Sequence, residues 1–167
     1  MRNNEITVME QNRKKLSLKA MYFNRYLLVR YISALFFFTN LYWFISLFMS
    51  NSLLCFIPLL LMIALVISIT EQVKIYSKHT NNAIYTKYCF IMLLLTNVWL
   101  GISIWFSSTF THLYPFLLDE EKSRILILII LCAGILLSTL VLYRLERIKH
   151  NADKHYKRMK QYEKIVN

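Results

Sequence analysis

An all-α membrane protein of four transmembrane helices, arranged as two tandem parallel-repeat helical hairpins with helical extensions on the cytoplasmic side, is the fold class this sequence predicts. Three observations predict it. The composition is 57% hydrophobic and 15% aromatic, with two Gly and two Pro in 167 residues, too apolar for a soluble domain and too poor in turn residues for a β-barrel. Apolar runs of about membrane-spanning length occupy roughly residues 31–48, 52–70, 88–106 and 125–143. The first run also recurs: RYISALFFFTNLYWFISLF, residues 30–48, aligns without a gap on KYCFIMLLLTNVWLGISIW, residues 87–105. The two copies share Tyr31 with Tyr88, Thr39 with Thr96, Asn40 with Asn97, Ile45 with Ile102 and Ser46 with Ser103, and each opens on a base.

Residues 1–30 form a basic cytoplasmic or interfacial segment. Its Lys14, Lys15, Lys19 and Arg25 are expected to face anionic lipid or a partner, while Leu16, Ala20, Phe23 and Leu27, at helical spacing, lie in the head-group layer. About thirty mostly polar residues precede the first run, with no cleavage pattern after it, so that run is expected to stay in the mature protein.

The first two spans are joined by a tight turn at 49–51, and Pro58 is expected to remove a hydrogen bond and kink the second. Beyond Thr70 the chain is polar without a breaker, so the helices continue past the membrane and turn near 79–82, with Thr80, Asn81 or Asn82 capping the return. The third span ends on Trp99 and Trp105, as at a membrane interface. Phe110, Leu113, Tyr114, Phe116, Leu117 and Leu118 make the next segment too apolar for a solvated loop, which implies that it lies in the outer interface or packs over the bundle. Asp119, Glu120 and Glu121 stand where the last helix starts and complement its dipole rather than binding metal. Residues 144–167 carry no breaker, and Leu145, Ile148, Ala152, His155, Met159, Tyr162 and Val166 repeat at spacings of three and four. A basic helical tail continuing the fourth span follows, with Arg144 and Arg147 toward lipid or a partner.

Lys and Arg number seven in 1–30, three in 71–87 and eight in 144–167, against none in 49–51 and two in 107–124. Both termini are therefore expected in the cytoplasm, in a cell-membrane protein. The bases flank apolar runs, so the net charge of +11 points to the anionic lipid of the cytoplasmic leaflet and not to nucleic acid.

Within the spans, Thr39, Asn40, Ser46, Thr96, Asn97 and Ser103 are expected to make interhelical polar contacts or to line a neutral path, since an amide in hydrocarbon needs a partner. Ala64 with Ser68, and Gly134 with Ser138, form small-xxx-small patterns for close helix packing. No span contains Asp, Glu, Lys, Arg or His. The three cysteines show no metal-ligand spacing and His150 and His155 are five apart, so no metal, cofactor or catalytic residue is expected. Two functional classes follow. The first is a non-enzymatic partner, assembly, regulatory or immunity-type subunit, which uses its basic cytoplasmic helices and apolar external loop to contact another membrane protein or a second copy. The second is a small transporter or channel subunit with a path along Asn40, Asn97 and the Ser/Thr residues.

Overall fold

The computed structural model describes residues 23–78 and 82–153, together with residues 9, 12–14, 16–17, 20–21, 155–156, 158 and 160–161. Every regular element among them is helical. Helix α1 spans Leu27–Met49, a 3-10 turn at Leu53–Cys55 leads into α2 (Phe56–Lys78), and α3 (Ile84–Ser103), the short α4 (Ser107–Leu113) and α5 (Glu121–Lys149) follow. Helices α1, α2, α3 and α5 are long and apolar enough to cross a membrane. The described residues before Tyr26 are helical as well.

The ends of these helices are set by local chemistry. Asn51 takes a left-handed φ of 50°, and the Ser52 and Asn51 N–H groups donate to Leu47 O and Phe48 O at 3.1 Å each. This paired bonding closes α1 and reverses the chain within three residues. Pro58 costs α2 no intrahelical hydrogen bond. It falls in the helix's first turn, where its missing N–H has no intrahelical carbonyl to bond.

The same turn recurs where the sequence predicts an unbroken tail. Asn151 has φ 53°, and Ala152 and Asn151 N–H donate to Arg147 O and Ile148 O at 2.9 and 3.0 Å. Helix α5 therefore stops at Lys149, and the side chain of Asp153 accepts from Tyr156 N–H at 3.2 Å to cap a new helical stretch. Residues 155, 156, 158, 160 and 161 are helical again. Met159, Tyr162 and Val166 of the expected seam lie outside the described residues.

Each long helix packs against its neighbour in sequence, and α1 also meets α5 in a smaller contact. One cluster, with Val29, Ile32, Phe36, Leu65, Phe90, Leu93, Val141 and Ile148, fills the half of the bundle toward the chain ends. Phe36 meets Phe90 edge-on at 6.0 Å. A second cluster at the other end gathers Leu100, Ile104, Ile127 and Leu131 beneath α4, whose Phe110 and Leu113 are buried with Tyr114. The segment after the third span thus packs over the bundle, and Trp43 Nε1 donates to Leu113 O at 2.9 Å to pin it there.

Burial repeats at the same offset as the sequence. Val29 and Thr86, Ile32 and Cys89, Ser33 and Phe90, Phe36 and Leu93, and Leu47 and Ile104 are buried at both positions of the pair, whereas Tyr31 and Tyr88, Phe38 and Leu95, and Ile45 and Ile102 are exposed at both.

Candidate functional site

The end of the bundle where α1 and α3 begin and α2 and α5 finish holds most of its buried polar chemistry, and two networks organise it. The first joins the two ends of the chain. Arg25 stands one residue before the turn at Tyr26 that leads into α1, and its side chain is 1% exposed. Its Nη2 donates to Asp153 Oδ1 at 2.7 Å, to Asn151 Oδ1 at 2.8 Å and to Ile148 O at 2.9 Å, and its Nε donates to Asp153 Oδ2 at 3.0 Å. The guanidinium also lies 5.2 Å from the centroid of the Tyr156 ring. Asp153 is fully buried. A buried guanidinium paired in two-pronged fashion to a buried carboxylate, with a carbonyl and an amide oxygen also accepting from its Nη2, has the geometry in which a charge pair persists out of water.

This placement corrects the expectation for Arg25, which faces neither lipid nor solvent. Its partner sits 128 residues away, and the turn at Asn151 swings Asp153 back over the end of α5 to meet it. Asp153 and Asn151 were missed in the sequence, although Asn151 followed by Asp153 is a legible pair: a residue tolerant of left-handed φ, then a helix cap. Arg147 donates to Ala152 O at 3.0 Å and buttresses the same turn. Lys14 and Arg144 are half-buried, and Lys15 and Lys19 lie outside the described residues. Burial, with Arg144 next in effect and Arg158 and Arg25 adding to it against Asp153, holds the His155 imidazole below its usual range. Burial pushes the Tyr26 phenol up to about 12 despite Arg25 beside it, so it stays neutral.

The second network crosses three helices. Glu71 of α2 accepts from Tyr85 N–H at 3.1 Å, Thr86 N–H at 2.7 Å and the Thr86 hydroxyl at 2.8 Å. It therefore caps α3; of the residues the sequence offered for that role, Thr80 and Asn81 lie outside the described residues, among which Asn82 makes no cap bond. The cap position itself is Ala83, which has no side chain able to accept. From Thr86 the chain of bonds continues: Ser68 donates to Thr86 Oγ1 at 3.1 Å, and Gln72 Nε2 donates to Ser68 Oγ at 3.2 Å and to Ser33 Oγ at 3.3 Å. Ser33 donates to Val29 O at 2.8 Å. Hence Ser68, singled out for close packing, is also a relay in the polar contact between α2 and α3, and Ala64 one turn away packs against the main core.

Five of the six polar residues expected to bridge helices or line a path within the spans bond to their own helices. Asn40 Nδ2 donates to Phe36 O at 2.7 Å, Thr39 Oγ1 to Phe36 O at 3.0 Å, and Ser46, Thr96 and Ser103 to the carbonyls four residues back, each at 2.9 Å. A short side chain on a helix satisfies itself this way without any neighbour. Asn97 differs. A Cβ built on Gly134 of α5 would lie 2.9 Å from Asn97 Nδ2, and that Nδ2 has no hydrogen-bond partner among the described residues. Gly134 is thus the notch into which Asn97 fits, and Ser138 is fully buried one turn further on.

Among the described residues no group of three His, Cys, Asp or Glu could hold a metal ion. Asp119 pairs with Arg124 at 2.7 Å, and Glu120 stands at the start of α5 without a side-chain cap bond. Comparison with protein-family models, with curated proteins and with solved structures gives no match for this chain.

Proposed function

We propose that the chain is a multi-pass cell-membrane protein with both termini in the cytoplasm, built as two parallel hairpin repeats. Its basic cytoplasmic helices and apolar external cap would dock another membrane protein, making it a non-enzymatic assembly, regulatory or immunity-type subunit. The observation that carries this reading is the buried Arg25–Asp153 pair, because it fixes two basic segments from opposite ends of the chain into one surface. Arg13, Lys149, Arg158 and Lys160 are exposed on those segments. The 57-residue recurrence of burial supports the repeat, and the shared basic end supports the orientation.

Two measurements test this. In a background lacking Cys55, Cys89 and Cys132, a cysteine at Leu118 should react with an impermeant thiol reagent in intact cells, and one at Asn82 should not; labelling at 82 would overturn the orientation. A photo-crosslinking amino acid at Arg158 should give a discrete membrane-protein adduct that disappears with Asp153→Ala. Adducts to lipid alone, or an adduct indifferent to Asp153, would remove the docking role.

The unpartnered Asn97 Nδ2 favours a second reading, a small transporter or channel subunit. Under the docking reading, Asn40→Leu and Asn97→Leu leave the Arg158 adduct intact and shift stability by about 1 kcal/mol or less, since no interhelical bond is lost. A conductance or transport phenotype abolished at normal stability would promote the path.

A further inference from the structure

Between the first turn of α3 and the last turns of α5 lies a groove of about 270 Å³ whose chemistry neither network uses. Leu145 forms its buried floor, Lys87 and Tyr88 line the α3 side, and Glu146 and Lys149 the α5 side. Lys87 Nζ pairs with Glu146 Oε2 at 3.1 Å, both half-exposed, and His150 Nε2 meets Glu146 Oε1 at 3.1 Å. Lys149 is exposed and makes no ion pair with a described residue.

We infer that this groove holds the head group of an anionic phospholipid, a glycerol phosphodiester of the phosphatidylglycerol type. The inference rests on the membrane reading above. Two ammonium groups against one carboxylate leave the groove with one net positive charge, which a single phosphodiester neutralises; a zwitterionic head group would leave it unbalanced. The phosphate oxygens accept from Lys87 and Lys149, and the head-group hydroxyls donate to Glu146, so the carboxylate is a feature of the fit. A soluble anion uses only the lysines. What selects a lipid is the surface below them: Tyr88, Leu95 and Ile102 follow one another at a spacing of seven on α3 and are 66%, 61% and 60% exposed. That spacing makes one apolar stripe, starting at the phosphate end with an aromatic ring of the kind found at head-group depth, along which an acyl chain can lie.

Native mass spectrometry of the full chain in mild detergent tests it, with phosphatidylglycerol, phosphatidylethanolamine and soluble glycerol phosphate as probes. Phosphatidylglycerol should be retained at least fivefold better than the other two. Lys87→Gln with Lys149→Gln should remove that preference, Lys87→Arg with Lys149→Arg should keep it, and Lys74→Gln, an exposed base on α2 outside the groove, should not alter it. Thermal melting of the same variants separates lost binding from lost folding, and the arginine pair keeps the test valid if the glutamine pair does not fold. Equal retention of the three probes, undiminished retention in the glutamine pair, or an equal loss with Lys74→Gln would each overturn the site. Failure of the orientation shows separately, as cysteine labelling at Asn82 in intact cells while the lysine-dependent retention of phosphatidylglycerol persists.

Discussion

Replacing Asp153 with Ala leaves the Arg25 guanidinium buried with its Asn151 and Ile148 acceptors but without the carboxylate that pairs with it in the fold. Breaking one partner of a buried pair costs about 3–5 kcal/mol, because the remaining charge must be hydrated or stay unpaired. The cap on Tyr156 N–H is lost with it, worth about 1 kcal/mol more. The pair lies at the edge of the bundle, so the cost falls on local opening of the terminal segments. At about 1.4 kcal/mol per decade, the combined cost of about 4–6 kcal/mol should lower amide protection across residues 144–156 by roughly a thousand- to twenty-thousand-fold. The assay is hydrogen exchange by mass spectrometry on the protein in mild detergent. Arg25→Met combined with Asp153→Leu should recover about half of the loss, because removing both charges also removes their desolvation cost; about 2–3 kcal/mol would remain, from the acceptors left at Asn151 and Ile148 and from the lost cap on Tyr156 N–H. Protection in Asp153→Ala within twofold of the parent would show that the termini are not held by this pair, and the single-surface reasoning would fall with it.

Three other outcomes follow from the same geometry. Gly134→Ala adds a Cβ 2.9 Å from Asn97 Nδ2, so thermal melting in detergent should show a net loss of about 1–2 kcal/mol, overpacking outweighing the better helix propensity; Asn97→Ala in the same chain should reverse the sign. Glu71→Ala strips acceptors from two backbone N–H groups and the Thr86 hydroxyl and should cost about 2 kcal/mol by the same assay, with Glu71→Gln costing about half, since one amide oxygen still accepts. The His155 imidazole is held below its usual range in the fold, so a released tail takes the proton first. Stability from this group is whole above the unperturbed value of about 6.5 and falls as pH drops through it, so melting at pH 5.5 should fall further below that at pH 7.5 in the parent than in His155→Gln.

Sequence alone determined the number of long helices, their approximate bounds, the apolar cap after the third and the basic character of one end. These are properties of uninterrupted runs: apolar length and charge placement act within a segment and need no partner to be read. What the tertiary structure decided were the polar partners. Arg25 reads as a surface base because its counter-charge is at the other end of the chain, and Asp153 reaches it only because Asn151 adopts a left-handed turn that many sequences with Asn do not use. Glu71 caps α3 because two antiparallel helices bring it beside the first turn, a neighbour fifteen residues away in sequence. Asn40 and Asn97 are alike in sequence, yet one bonds its own helix and the other sits against the notch at Gly134. A polar side chain takes whichever acceptor or space the packed backbone offers, and that offer exists only once the helices have met.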